Sequence, residues 1–157
     1  HFAQIALDWP RHARTEQRVD HDVGADQQRP QIAQALQAAI AACHARARRF
    51  EDTDWAAIAA LYGRLMQVAP SPVVELNRAV AVGKAQGPRA ALAIVESLAG
   101  EAKLRGYAPL PAVRGDLLWQ LERLDEARVE FQRAASLTDN AREREVMLAR
   151  AAACTRA

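Results

Sequence analysis

Small and apolar residues recur at helical spacing in two segments of the C-terminal third of the chain. In the second segment Ala127, Phe131 and Ala134 follow one another at offsets of four and three residues, and Gly115 lies in the first segment. Offsets of three and four place side chains on one face of an α-helix. The pattern therefore predicts two antiparallel helices over 112–137 that approach closely at Gly115 and Ala127, with Ala127 buried between them.

The N-terminal half is predicted to form two helices separated by a short break. The first covers 31–49 and the second begins after 50–53, where the side-chain oxygen of Asp52 or Thr53 is suitable for capping a free backbone N–H. An apolar stripe at helical spacing supports each helix. The stripes are Ile32, Leu36, Ile40 and Cys43 in the first helix, and Trp55, Ile58, Tyr62 and Leu65 in the second.

Proline and glycine divide the middle of the chain. Ser71 followed by Pro72 is typical of a helix start, because serine caps the first turn and proline has no N–H to leave unpaired there. Gly87 and Pro88 predict a tight turn into the next helix. The stretch 101–111, which contains two further prolines, is predicted to be the longest loop.

A last helix is predicted from Asn140 to about Cys154. Asn140, followed three residues later by Glu143, resembles a capping arrangement. Val146 and Leu148 are assigned to the apolar side of this helix, and its Arg and Glu residues to the other side. A half-polar terminal helix is what a stack of helix pairs needs to close its open end.

The small residue at the predicted helix contacts recurs at Ala56, Ala91 and Ala127, in steps of 35 and 36 residues. These steps are close to the period of about 34 residues in tetratricopeptide repeats. We therefore predict an all-α fold of about seven helices, stacked as antiparallel pairs into a short tetratricopeptide-like right-handed superhelix with a C-terminal capping helix. Residues 1–30 are predicted to be a leader segment, and 31–157 the helical domain.

The composition agrees with closely packed helices and argues against several functional classes. Half of the 157 residues are hydrophobic but only 5% are aromatic, which favours a helical core of Ala, Leu and Val. The 21 basic and 19 acidic residues are interleaved, so we expect no direct binding of nucleic acid. No apolar run is long enough to span a membrane. Cys43 and Cys154 lie far apart, which favours free thiols in a reducing cytoplasm.

Four segments together resemble one protein family over about residues 34–154. The segments are LQAAIAACHA (36–45), EDTDWAAIAALYGRLMQVAPSPVVELNRAVAV (51–82), GPRAAL (87–92) and GDLLWQLERLDEA (115–127). They are similar to the C-terminal tetratricopeptide-like extension of extracytoplasmic-function RNA polymerase sigma factors. The resemblance implies a bacterial cytoplasmic protein that takes part in transcription initiation.

The resemblance implies a non-catalytic regulatory or protein-interaction domain whose partners are sigma domains of the same parent protein or RNA polymerase. Such sigma factors carry their promoter-binding domains before this extension, and the 33 residues that precede it here do not accommodate them. An alternative is a free-standing tetratricopeptide-like adaptor unrelated to transcription. A third class is a subunit of an enzyme that binds a small molecule.

Two groups of polar and aromatic residues are candidates for partner binding. Glu75, Asn77 and Arg78 share an otherwise apolar helix, where they either face a partner or serve as a cap, inter-helix hydrogen bonds and a solvated surface. The other group, one turn apart on the first helix of the last pair, is Asp116, Trp119 and Gln120.

The second group is predicted to lie on the concave side of the superhelix, which the first helix of each pair lines. Trp119 is either a rigid anchor for a partner or an ordinary core residue. With carboxylates beside it, this groove would suit a basic amphipathic helix. The predicted strip also includes Leu76, Val80 and Ala112.

No residue pattern indicates catalysis, a metal or a cofactor. The sequence contains neither a recognisable pair of nucleophile and general base nor a glycine-rich phosphate loop. His12 and the run Asp20, His21 and Asp22 come nearest to a metal site, but they are interpreted as a solvated loop because no i,i+4 ligand pair accompanies them. His44 is interpreted as a packed or surface residue. We therefore expect a protein that is not an enzyme.

Overall fold

The computed structural model describes residues 28–47 and 49–154, and within these ranges all regular structure is helical. It comprises seven α-helices and two short 3₁₀ helices, Phe50–Asp52 and Ala102–Leu104. The all-α prediction and the number of helices are therefore confirmed for the described part of the chain. The α-helices are α1 (Gln28–Arg46), α2 (Trp55–Val68), α3 (Pro72–Gln86), α4 (Pro88–Ser97), α5 (Pro109–Gln120), α6 (Leu124–Leu137) and α7 (Ala141–Ala153).

Each helix packs against the next one in the chain, so the fold is a linear stack of antiparallel neighbours. Two clusters of buried apolar residues fill the stack. One surrounds Ile58 and Leu65 between α1, α2 and α3, and the other surrounds Phe131 between α3 and α7. Ile94 of α4 packs against both clusters and makes the core continuous.

The middle helices begin and end where the turn residues predict. Pro72 is the first residue of α3, and Ser71 occupies its N-cap position, but the Ser71 side chain makes no capping hydrogen bond. Gly87 joins α3 to α4 with a φ of 99°, a left-handed conformation that glycine adopts without strain. The last helix is capped as expected, since the side chain of Asn140 accepts hydrogen bonds from the backbone N–H groups of Arg142 and Glu143.

The cap of α2 differs from the prediction. Asp52 lies in the short 3₁₀ helix and Thr53 immediately follows that helix, so neither precedes the first turn of α2. Asp54 takes the position instead, and its Oδ1 accepts a hydrogen bond of 2.9 Å from the N–H of Ala57. The prediction of Asp52 or Thr53 was wrong because α2 begins at Trp55, one residue later than the sequence indicates.

Replacing this cap is expected to weaken the N-terminal half of the stack. Asp54→Ala leaves the N–H of Ala57 without its acceptor and should lower the free energy of unfolding by about 1 kcal/mol. Asp52→Ala is the matched control, because it removes a neighbouring exposed carboxylate that does not cap α2. Urea unfolding followed by circular dichroism measures both, and equal losses would contradict the assignment of the cap.

The segment 101–111 is shorter as a loop than predicted. The 3₁₀ helix buries Leu104 completely, and α5 already begins at Pro109. Proline is well tolerated in the first turn of a helix, where no partner for its missing N–H is needed. The prediction that Pro109 and Pro111 belong to the loop is wrong, because both lie in the first turn of α5.

The register of the repeat is correct for two pairs and wrong for the first. Ala91 and Ala127 are each the fourth residue of their helices, α4 and α6, and both are fully buried. Ala56, however, is exposed, and the fourth residue of α2 is the fully buried Ile58. The first step is therefore 33 residues, and a larger side chain occupies the contact in the first pair.

The buried face of α7 also differs from the prediction. Val146 and Leu148 are exposed, so they do not form its packing face. The buried residues are Met147, Ala151 and Cys154, at offsets of four and three. A shift of one residue turns a side chain by about 100° around a helix, which accounts for the misassignment.

Candidate protein-binding surface

The first helix of the last pair, α5, is held in place by close contact with α6. A Cβ atom added to Gly115 would lie 2.9 Å from ring carbons of Phe131, so only glycine permits this approach. Leu117 and Leu118 of α5 are also buried. Trp119 follows Leu118 on the same helix and has 48% of its surface exposed. Trp119 is therefore a surface residue and contributes no buried core side chain.

Asp116, Trp119 and Gln120 form one surface, which we call the α5 patch. Gln120 Nε2 donates a hydrogen bond of 2.7 Å to Asp116 Oδ2. Across the helix contact, Nη2 of Arg150 on α7 donates to Asp116 Oδ1 at 2.5 Å. The sequence prediction brought the three patch residues together correctly on one helix but missed Arg150, which lies 34 residues further along the chain.

Arg150 is fixed on a second side by an aromatic ring. The guanidinium carbon lies 4.8 Å from the ring centroid of the fully buried Phe131. A cation over the face of an aromatic ring is attracted by the ring quadrupole. Gly115, Phe131, Arg150 and Asp116 thus form a continuous chain of contacts from the core of the last pair to the α5 patch.

The other predicted group lies on α3 and is separate from the α5 patch. Arg78 donates two hydrogen bonds to Glu75, from Nε at 2.8 Å and from Nη2 at 2.7 Å. This hydrogen-bonded pair raises the pKa of Arg78 above its usual range. Asn77, the residue before Arg78, is half-buried. The ion pair accounts for Glu75 and Arg78 as a local surface interaction within one helix.

Part of the predicted concave strip is inaccessible. Leu76 and Ala112 are buried in the core, and Val80 is half-buried. These residues therefore support the packing of α3 and α5 and offer little surface to a partner. The fully exposed residues of α5 are Trp119 and Gln120 at its C-terminal end.

A second set of ion pairs was not indicated by any sequence pattern. Arg114 donates from Nη1 to Oε1 of Glu130 at 2.5 Å, which joins α5 to α6, although Glu130 is almost completely buried. Glu96 of α4 lies 3.9 Å from the same arginine. Arg123 and Glu126 form a further pair at the turn between α5 and α6. The contacts of Arg114 connect neighbouring helices, whereas the pair of Arg123 and Glu126 lies at the first turn of α6.

His44 packs against an aromatic side chain, in agreement with its interpretation as a packed or surface residue. Its ring meets that of Trp55 edge-on, with 5.4 Å between the centroids. Burial lowers the pKa of His44 below its usual value, so the ring is predominantly neutral at pH 7.

The remaining sequence predictions concern metals, thiols and membranes. Among residues 28–47 and 49–154 no three His, Cys, Asp or Glu side chains are grouped so as to hold a metal ion. His12 and the run Asp20, His21 and Asp22 lie outside the described residues. Cys43 and Cys154 are both free thiols. No helix in the described ranges has the length and apolarity to cross a membrane.

Comparison with known proteins agrees with the fold and gives no activity. No protein-family profile matches the chain. The uncharacterized protein R00370 of Rhizobium meliloti (strain 1021) is 53% identical over 135 residues, which cover 86% of this chain but 31% of that protein. The chain thus spans about a third of the length of this relative.

Two solved structures share the architecture. The first TPR domain of human RPAP3 superposes with a TM-score of 0.62 at 21% identity, over 80% of this chain and 93% of that domain. The first TPR of Spaghetti (RPAP3), bound to the HSP90 peptide SRMEEVD, gives a TM-score of 0.60 at 21% identity, over 81% and 95% of the two chains. The likeness establishes a tetratricopeptide-like stack of helix pairs.

The resemblance to sigma-factor extensions is not supported and that prediction is wrong. The chain matches no family profile, its similar relative has no assigned role, and its structural neighbours are TPR domains of RPAP3. The predicted role in transcription and the predicted sigma-domain and polymerase partners depended on that resemblance and have no other support. The matching segments cover parts of α1 and α4, all of α2, most of α3 and the turn between α5 and α6, and such apolar and small residues at helical spacing recur in stacked helix pairs generally.

Proposed function

We propose that the chain is a non-catalytic protein-interaction module of the tetratricopeptide type. It binds a segment of a partner protein along the side formed by the first helices of its pairs, as stacked helical repeats do with their concave surfaces. The observation that carries the proposal is the exposure of Trp119 within the α5 patch. Tryptophan is enriched among the residues that contribute most to protein interfaces.

The proposed role corresponds to the adaptor hypothesis, without any connection to transcription. Its support is the shared architecture with TPR domains, one of which is bound to a peptide in its solved structure. Protein partners in general agree with this fold. We take the helices from α1 to α7 as one functional unit, with Glu75, Asn77 and Arg78 on α3 as a secondary contact region separate from the α5 patch.

The partner segment is proposed to contact the α5 patch mainly through apolar side chains. Asp116 is engaged by both Arg150 and Gln120, so its carboxylate is not available to attract a basic helix. The peptide in the neighbouring structure, SRMEEVD, is acidic, but at 21% identity this likeness does not extend to the ligand. The indole ring of Trp119 is therefore the main surface that remains available to a partner. An apolar surface of this kind suits an apolar anchor residue in the partner.

Peptide selection tests this proposal. A displayed library of random peptides is selected on the wild-type chain, and the affinities of the enriched peptides are measured by fluorescence anisotropy. Trp119→Ala should weaken their binding by about tenfold or more, as expected for loss of an interface anchor. Val129→Ala is the matched control, because Val129 is 56% exposed on α6 and does not belong to the α5 patch.

The two variants separate binding from folding. Both remove an exposed side chain, so both should unfold at nearly the same urea concentration as the wild type. If no peptide is enriched, or if the enriched peptides bind Trp119→Ala as tightly as the wild type, the proposed binding surface is refuted. Equal weakening by Val129→Ala would place the binding site elsewhere on the stack.

A further inference from the structure

We infer that a cavity beside α6 binds the ammonium group of a lysine side chain from a partner protein, with Glu130 as the acceptor. The cavity has a volume of about 300 Å³. Its lining comes from two adjacent helices and consists of Arg114 of α5 together with Asp125, Glu126, Arg128, Val129 and Glu130 of α6. None of these residues belongs to the α5 patch, so the inference goes beyond the proposed function.

Glu130 has one carboxylate oxygen that accepts no hydrogen bond. Its Oε1 accepts a hydrogen bond of 2.5 Å from Nη1 of Arg114, whereas the buried Oε2 has no hydrogen-bond partner in the described part of the chain. The Glu130 side chain is only 9% exposed and lines the cavity. A buried acceptor without a partner is unfavourable. A donor that enters the cavity and reaches Oε2 would therefore bind with gain.

Arg128 lines the same cavity and has the other buried side-chain atom, Nε, that makes no hydrogen bond within the described ranges. Side chains two residues apart on a helix do not face each other, so one ligand group cannot reach both Arg128 and Glu130. The Arg128 side chain is 42% exposed, and its Nη2 lies 3.8 Å from Oδ1 of Asp125. Glu130 is the more deeply buried of the two and therefore determines the ligand.

The charges around the cavity favour a cationic ligand. The lining contains three carboxylates but two guanidiniums. Two more charged residues pair with this group from outside the lining, Glu96 with Arg114 and Arg123 with Glu126, and together they leave the excess of one negative charge unchanged. An anionic ligand would be repelled by this excess and would bring no donor to Oε2 of Glu130. A cationic donor meets both requirements.

A lysine side chain suits this cavity better than an arginine side chain. Because Arg114 already engages Oε1, Glu130 offers a single oxygen, whereas a guanidinium binds a carboxylate best through two parallel hydrogen bonds. An ammonium is a compact charge that binds through one hydrogen bond, and its four-carbon stem can pack on Val129, which is 56% exposed. The cavity volume is at the lower limit of ligand pockets, about 300–1,000 Å³, which suits one side chain.

NMR titration of the isotope-labelled chain tests the inference with three blocked peptides and one free amine. The peptides have lysine, acetyllysine or arginine as the central residue between glycines, and the amine is n-butylammonium. The lysine peptide should shift the backbone amide signals of Arg114 and of residues 126–130. It should bind about tenfold more tightly than the acetyllysine peptide, the effect expected of one hydrogen bond between charged groups. The arginine peptide should bind more weakly than the lysine peptide.

Three variants assign the binding to the cavity. Glu130→Gln removes the negative charge at nearly constant size and should abolish the preference for lysine over acetyllysine. Val129→Lys places a competing ammonium at the cavity from an exposed position, so it should weaken lysine binding in a chain that stays folded even if Glu130→Gln does not. Glu145→Gln is the matched control and should bind like the wild type, because it removes the same charge from an exposed position on α7.

The outcomes that would overturn the inference are distinct. Absence of shifts at Arg114 and residues 126–130, or equal binding of the lysine and acetyllysine peptides, would show that Glu130 accepts no ammonium group there. Equal weakening in Glu145→Gln would mean that only the net charge of the chain matters. If n-butylammonium binds as tightly as the lysine peptide, the assignment of the ligand to a partner protein is overturned.

Discussion

Phe131→Ala is expected to lower the free energy of unfolding by about 3–5 kcal/mol, the usual cost of truncating a large buried aromatic residue. Phe131 is fully buried in the larger of the two apolar clusters. Its ring fills the space above Gly115 and also supports the guanidinium of Arg150. Alanine would leave a cavity between α5 and α6 and remove the ring beneath the cation. Urea unfolding followed by circular dichroism measures the loss.

Trp119→Ala is the control for this prediction, since it removes an even larger aromatic side chain from the same pair of helices. Because about half of Trp119 is exposed, its removal should lower the free energy of unfolding by about 1 kcal/mol or less, well below the loss in Phe131→Ala. Similar losses in the two variants would mean that the core is not centred on Phe131. A small loss of stability in Trp119→Ala would also show that this variant is folded, which the peptide-binding experiment requires.

The fold of the last helix pair was predictable because the spacing of small and apolar residues along each helix determines which residues pack together. Ala127, Phe131 and Ala134 lie on one face of α6 by helical periodicity, and all three are buried. Gly115 marks the close approach of α5 to α6, since a Cβ atom added there would lie 2.9 Å from the ring of Phe131. Short turns then leave antiparallel neighbours as the simplest arrangement.

The first pair was harder to predict because its helix contact uses a different residue. Where α4 and α6 have alanine at the fourth position, α2 has Ile58. A small residue at the repeat interval of about 35 residues therefore points to Ala56, which is exposed. In an alanine-rich chain many positions satisfy such a search, and only the packed face decides which alanine is buried.

The candidate surface was predictable within a helix but not between helices. Asp116 and Gln120 are four residues apart, a spacing that brings side chains together on a helix. Asp116 pairs with Arg150 only because α7 is rotated so that Arg150 faces α5. This rotation could not be predicted, since the predicted apolar face of α7 was wrong. The buried pair of Arg114 and Glu130 similarly depends on tertiary packing.

Alanine in place of glycine is expected to have opposite effects at two helical positions. At Gly63 of α2 an added Cβ meets no atom within 4 Å, so Gly63→Ala should stabilise the protein by about 0.5–1 kcal/mol through helix propensity. At Gly115 the added Cβ would lie 2.9 Å from the ring of Phe131. Overpacking of this kind typically costs about 1–3 kcal/mol, which outweighs the gain in propensity.

The two variants should therefore differ by about 1–3 kcal/mol in the free energy of unfolding, with Gly63→Ala above the wild type and Gly115→Ala below it. Each protein is unfolded in urea under the same conditions. A stabilised Gly115→Ala would show that Phe131 moves aside at little cost. A destabilised Gly63→Ala would show that α2 has less free space than its surroundings indicate.

The preceding repeat shows how the clash at Gly115 can be relieved. Ala79 and Val95 occupy the corresponding positions 36 residues earlier, and both are fully buried. In that pair the first helix has a methyl group and the second has a smaller side chain than Phe131. We therefore expect Phe131→Val to reduce the cost of Gly115→Ala, because the smaller side chain leaves room for the new methyl group.

A double-mutant cycle measures this coupling. Gly115→Ala together with Phe131→Val should lose less stability than the sum of the single changes, by about 1 kcal/mol or more, as expected for residues in direct contact. Combining Gly63→Ala with Phe131→Val is the matched control and should be additive, because Gly63 lies in α2, at the other cluster. Additivity in both cycles would mean that the ring of Phe131 does not limit the size of residue 115.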